Sequence, residues 1–237
     1  MTSPTPSTGG KILRTAAIVL FALATFFNLM GGIGTACVAL NPTGWSPAMA
    51  KLAPYQWLYI LLMIGATVVS VWGIVVTIGL ARGKRHAYRD ALIVLALSAL
   101  FAGVQTFVSI ALRGKGAPQN MRFYITTFTL VAFLLLRLPP IWKLIGGFRR
   151  SGGDAATTSG LAAFAGGLVM LTTLLWATPS HIGPDGANWV NVLRMPLLVG
   201  GSLLAFGGAA LVWAANHHGR TVIGEEARTK GQPAAGG

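Results

Sequence analysis

A chain of 237 residues with 54% hydrophobic content, a mean hydropathy of +0.66 and only 10% charged residues falls far below the ~25% charge of an average water-soluble domain. Those figures exclude a soluble globule and a disordered chain, and 31 Gly and 12 Pro without a triplet period exclude collagen. The net charge of +13 does not indicate nucleic acid, because the 18 Lys and Arg stand in short groups between apolar runs and form no basic recognition face.

Six stretches reach the ~20 apolar residues that a ~30 Å hydrocarbon core demands. They run over 13–38, 56–80, 91–112, 123–147, 159–178 and 192–215. The expected fold is therefore all-α: a polytopic six-helix transmembrane bundle over 13–215, between a mobile N-terminal tail (1–12) and a mobile C-terminal tail (216–237) rich in small and polar residues. No connection is long enough to form a second domain.

The first stretch follows Lys11 and Arg14 and ends near Gly34, Thr35 and Ala36, the outline of a signal peptide. Its apolar run exceeds a signal core, so an uncleaved anchor is expected. Within it Ala24, Asn28, Gly32 and Ala36 recur at four-residue spacing, a face suited to close helix packing. Cys37, the only cysteine, permits no intrachain disulfide and no thiolate cluster, and reads as a buried, inert thiol. Gly31, Gly32 and Gly34 serve either close packing or a local unwinding that exposes carbonyls to an ion.

In the third stretch Gln105 and Ser109 are polar groups in apolar surroundings, as Asn28 is in the first. Each needs a partner, either across helices or in a solute cavity. The fourth contains Arg137 followed by Leu138, Pro139 and Pro140, and proline at those positions predicts a kink or break near Leu138. Arg137 lies six residues before Lys143, hence about 9 Å deeper on an unbroken helix, and intramembrane charges mark functional sites. Its alternatives are a bridge to Asp90 at the inner start of the third stretch, or snorkelling to lipid phosphate. Ser159, Ala163 and Gly167 in the fifth and Gly201, Ala205 and Ala209 in the sixth form further small-residue stripes.

Lys and Arg retained in cytoplasmic loops set orientation. With the N-terminus inside, the inner segments hold Lys11, Arg14, Arg82, Lys84, Arg85, Arg89, Lys143, Arg149, Arg150, Arg220, Arg228 and Lys230. The outer ones hold Lys51, Arg113, Lys115, Arg122 and Arg194, so both termini are expected in the cytoplasm. Trp45, Tyr55, Trp57, Tyr124, Trp176 and Trp189 mark the outer rim, and Tyr88, Trp142 and Trp213 the inner one. The excess of Arg over Lys and the absence of Asn-x-Ser/Thr sequons suggest a bacterial plasma membrane.

Catalytic chemistry finds little support in the residues. There is no HExxH, Walker loop or nucleophile elbow, and no carboxylate stands in a helix centre. Ser180, His181 and Asp185 share one loop, which is not the geometry of a triad. Haem ligation would need His86 with His217 or His218 at matching depth. No catalytic or metal residue is therefore assigned and the cofactor stays open. The candidate polar site is Arg137, Asp90, Asn28 and Gln105. The expected function is a non-enzymatic accessory or scaffold subunit of a membrane assembly. The alternative is a carrier or pore for a small neutral or anionic solute lined by Asn28, Gln105 and Arg137. Expected partners are the bilayer, with anionic lipid at the inner face, and other membrane subunits or further copies of the chain.

Overall fold

The computed structural model describes residues 7–116, 119–148, 154–177, 182 and 186–230, by backbone alone at Asp154, Trp176, Trp189 and 218–230. It is all-helical, and five helices are long and apolar enough to cross a membrane. The helices are α1 (Thr8–Leu40), α2 (Pro47–Ala50), α3 (Gln56–Ala81), α4 (Ala87–Arg113), α5 (Gln119–Leu136), α6 (Pro139–Leu144), α7 (Asp154–Trp176), α8 (Trp189–Val192) and α9 (Arg194–Lys230). Short 3-10 turns at Pro42–Gly44, Ala53–Tyr55 and Gly146–Phe148 complete the connections.

α1 begins inside the expected N-terminal tail, where the Ser7 hydroxyl accepts the Gly10 amide and caps the helix. α9 likewise continues as helix past residue 215 to Lys230, where a tail is expected. α1 is the hub, packing against α3, α5 and α7, while α3, α4 and α5 close a four-helix block around it. The block's core is Ile18, Phe21, Val69, Leu80, Val94, Leu95 and Phe133, all buried. Small residues set the spacing: a Cβ on Gly32 would meet Thr67, and one on Gly73 would meet Thr25.

The fourth of the expected stretches departs most from expectation, and its helix is not among the five long enough and apolar enough to cross a membrane. α5 has 18 residues, opens on Gln119 and Asn120, and stops at Leu136. Leu138 is extended (φ −56°, ψ 133°), as a residue before proline prefers. Pro139 and Pro140 then start α6, which lasts only to Leu144. Proline cannot donate to the carbonyls four residues back; of these the Leu135 carbonyl takes the Leu138 amide instead, in a tighter turn that also frees the Phe133 carbonyl. Arg137 and Leu138 amides bond Leu134 and Leu135 at 3.0 Å each, and the Tyr88 hydroxyl donates to the Phe133 carbonyl at 2.5 Å. Tyr88, Phe133, Trp142 and Phe148 pack against one another beside this joint, while residues 137–140 themselves stay exposed.

α7 and α9 form a hairpin of their own. A Cβ on Gly167 would lie 2.5 Å from the Ala205 nitrogen, and one on Gly208 2.5 Å from the Phe164 nitrogen. The backbones therefore touch along Gly160, Gly167, Gly201, Ala205 and Gly208, a short-range attraction that replaces the hydrophobic drive absent in lipid. The hairpin leans on α1 through α7, leaving an open apolar groove of about 790 Å³ between α1 and α7 with Lys11 at one end.

Cys37 corrects one expectation. It is exposed on the face of α1 that carries Ile33, Gly34 and Leu40, because Thr35 and Ala39 take the inward positions of that turn.

Candidate functional site

The buried polar groups of the four-helix block converge between α1, α4 and α5. Asn28, on the face of α1 that includes Ala24 and Gly32, donates to the Ala24 carbonyl at 2.8 Å and to the Thr126 hydroxyl of α5 at 2.7 Å. Thr126 donates in turn to the Arg122 carbonyl at 2.8 Å, as a helical threonine does to the residue four before it. The Arg122 guanidinium NH2 donates to Gln105 Oε1 of α4 at 2.9 Å. Gln105 Nε2 donates to the Thr35 hydroxyl of α1 at 2.7 Å, and Thr35 donates to the Gly31 carbonyl at 2.6 Å. The chain of bonds thus leaves α1 at Asn28 and returns to it at Thr35.

Every side chain in this ring is buried, with Arg122 only 4% exposed and Gln105 1%. Gly31 makes room for the arginine: a Cβ there would lie 2.6 Å from Arg122 Cδ and 2.7 Å from NH1. The ring is rich in donors and short of acceptors. Arg122 Nε and NH1 have no hydrogen-bond partner, and the only ion pair among the described residues is Arg89 with Asp90, 3.2 Å apart. Asn28 Oδ1 is buried and also unpartnered. At the α4–α5 turn Ser109 donates to the Lys115 carbonyl at 2.9 Å and receives Arg113 NH1 at 3.2 Å, tying the end of α4 to the loop that follows.

Of the four candidate residues, the structure brings Asn28 and Gln105 together and leaves Arg137 and Asp90 apart from them. The Arg137–Asp90 bridge is not formed. Asp90 pairs with its neighbour Arg89, and Arg137 is exposed with its guanidinium carbon 4.8 Å from the Trp142 ring centroid. The depth assigned to Arg137 assumed a continuous helix to Lys143, and the break at Leu138 removes that premise. Among the described residues two charges are buried: Arg14 at 6% exposure, whose guanidinium donates to the Leu80 carbonyl at 3.3 Å, and Arg122, which the residue pattern alone left in an outer loop. The signal for Arg122 lies in the spacing of Arg122, Thr126, Thr129 and Phe133, which fall on one face of α5 and are all buried.

His86 precedes α4 at its turn, and His217 lies against the Trp213 ring at 4.2 Å with Nδ1 3.1 Å from the Trp213 carbonyl. Among the described residues no group of three or more His, Cys, Asp or Glu could hold a metal ion. Ser180, His181 and Asp185 fall outside the described residues, as does the His218 side chain. No protein-family model, curated protein or solved structure matches this chain.

Proposed function

We propose that this protein is a non-enzymatic accessory or scaffold subunit of a membrane assembly, built of six crossings in a bacterial plasma membrane with both termini in the cytoplasm. The observation that carries the reading is the outward face of α9. Its opposite face, Gly201, Ala205 and Gly208, is spent on α7. The free face presents Leu203 (70% exposed) and Phe206 (77%) beside Gly207 and Ala210, and nothing within 4 Å meets a Cβ built on Gly207. Glycine costs a helix about 1 kcal/mol relative to alanine. Inside this chain that cost at Gly207 brings no close approach, whereas a helix from another subunit or a second copy would use it.

The sixth crossing in this reading is α5 with α6. At 1.5 Å per residue, 18 residues reach about 27 Å, and the aromatic joint carries the chain on to the inner surface. Orientation still rests on the basic loops: Arg82, Lys84, Arg85 and Arg89 cluster at the α3–α4 turn, and leaving out both buried arginines, Arg14 from the inner set and Arg122 from the outer one, keeps the asymmetry. Those residues, with Lys11 at the end of the α1–α7 groove, also suit anionic lipid at the inner face. The test is gentle detergent extraction followed by mass spectrometry, repeated with Gly207→Leu. A stoichiometric membrane partner or a homo-oligomer, lost in the variant while helicity is kept, is the expected result. A monomer without companions refutes the reading.

The ring around Arg122 favours a second reading, a carrier for a small anionic solute, in which Asn28 and Gln105 keep their lining role and Arg122 replaces Arg137. Anion flux into proteoliposomes above that of protein-free vesicles tests it.

A further inference from the structure

We propose that the α1–α4–α5 ring is a binding site for one small monovalent anion, of the size of chloride or nitrate, held by the Arg122 guanidinium. A guanidinium stays protonated under all ordinary conditions and offers five N–H donors. Here Gln105 Oε1 is the acceptor it has, and Nε and NH1 point at nothing that can accept. A buried charge is retained only when paired or well hydrogen-bonded, and the described residues supply no carboxylate within 4 Å of it. Asp90 cannot serve, since it stands fifteen residues before Gln105 on α4, about 22 Å along the helix. Asn28 Oδ1 is an acceptor in the same ring, but no hydrogen bond joins it to the guanidinium and both stay unpartnered there, while the Thr126 hydroxyl oxygen accepts from the Asn28 amide.

The burial selects the occupant. At 4% exposure the arginine is closed to a lipid headgroup and to a side chain of another subunit, so among anionic partners only a small ion is compact enough to sit beside it. Arg122 lies three residues into α5, about 4.5 Å from its outer end, so the ion has a short path from the outer surface. The occupant is therefore a small inorganic anion, or a carboxylate no larger than formate. A bound anion needs no transport, so the site stands independently of both readings above.

The test uses the full chain in detergent or nanodiscs, with thermal unfolding measured in sodium chloride against sodium gluconate at equal ionic strength. Chloride is expected to raise the melting temperature saturably over gluconate, and nitrate to do the same. Arg122→Gln should lose that response. Gln105→Glu places an intrachain carboxylate where Oε1 now sits, 2.9 Å from NH2. It should fold, melt in gluconate as the parent does in chloride, and no longer respond to chloride. Should Arg122→Gln fail to fold, Gln105→Glu decides alone. Equal melting of the parent protein in chloride and gluconate overturns the proposal. So does a chloride response that survives Gln105→Glu, or one that appears only when anionic lipid is added to the nanodisc.

Discussion

Two adjacent glycines on α7 provide a stringent check on how the hairpin is held. A Cβ built on Gly166 meets nothing within 4 Å, although the glycine's own surface is covered, while a Cβ on Gly167 would sit 2.5 Å from the Ala205 nitrogen and 2.6 Å from the Gly201 carbonyl oxygen. Ordinary contact begins at 3.4 Å. Since the obstructing atoms are backbone, α9 must move off by roughly 0.9 Å, a gap that forfeits about a quarter to a half of each affected contact's attraction. Overpacking of this kind costs about 1–3 kcal/mol. Gly→Ala also gains helix propensity, about 1 kcal/mol, but equally at both positions. The difference between Gly166→Ala and Gly167→Ala is therefore the packing cost alone, about 5- to 150-fold in the unfolding equilibrium. Gly207→Ala and Gly208→Ala on α9 form a second pair with the same logic, the former open and the latter 2.5 Å from the Phe164 nitrogen. Reversible SDS unfolding of the full chain in mixed micelles, followed by circular dichroism, reads both pairs. Equal midpoints within each pair would show that the α7–α9 contact is not backbone-close and that α9 has no face committed to α7.

The ring and the joint make further predictions. Asn28→Ala removes the α1–α5 bond to Thr126 and should cost about 0.6–1.7 kcal/mol, the range for such bonds in membranes, in the same unfolding assay. Tyr88→Phe leaves the Phe133 carbonyl without its donor at the proline break, and should cost about 1–3 kcal/mol. Arg137→Gln loses a ring contact on an exposed side chain, so its effect should stay within about 1 kcal/mol; a larger loss would return Arg137 to the core. On a Cys37→Ser background, Lys51→Cys should react with an impermeant maleimide added to intact cells and Arg85→Cys only after lysis. The reverse pattern would invert the topology.

The helices were legible because their defining property is additive. Hydrophobic length sums over a window and tolerates errors at the ends, so α1, α3, α4, α7 and α9 emerge close to the stretches read from composition. The break before Pro139 was legible for a local reason, since proline's missing donor acts wherever the chain places it. Rotational phase was harder. Cys37 stands in an apolar run, but its exposure is decided by which side of α1 meets α3 and α5, and a lone residue in a run without polar contrast carries no record of that.

The exchange of Arg137 for Arg122 follows from the same limit. Depth along a sequence is a one-dimensional measure, and it ranks Arg137 as deep because Lys143 lies six residues further on along what reads as one helix. Burial is three-dimensional and depends on what a neighbouring helix leaves vacant. Arg122 sits among Gln119, Asn120 and Met121, which hydropathy assigns to a loop, but it lies opposite Gly31, where the missing Cβ leaves room for its Cδ and NH1. Arg137 has no such vacancy, because the helix that would have carried it inward ends one residue earlier at Leu136. A glycine on one helix and a long cation on another, far apart in sequence, thus fix each other's meaning. That pairing accounts for the burial of Arg122 and predicts that Gly31→Val should expel the arginine from the ring, releasing Gln105 from its bond to NH2 even though Gln105 itself is untouched.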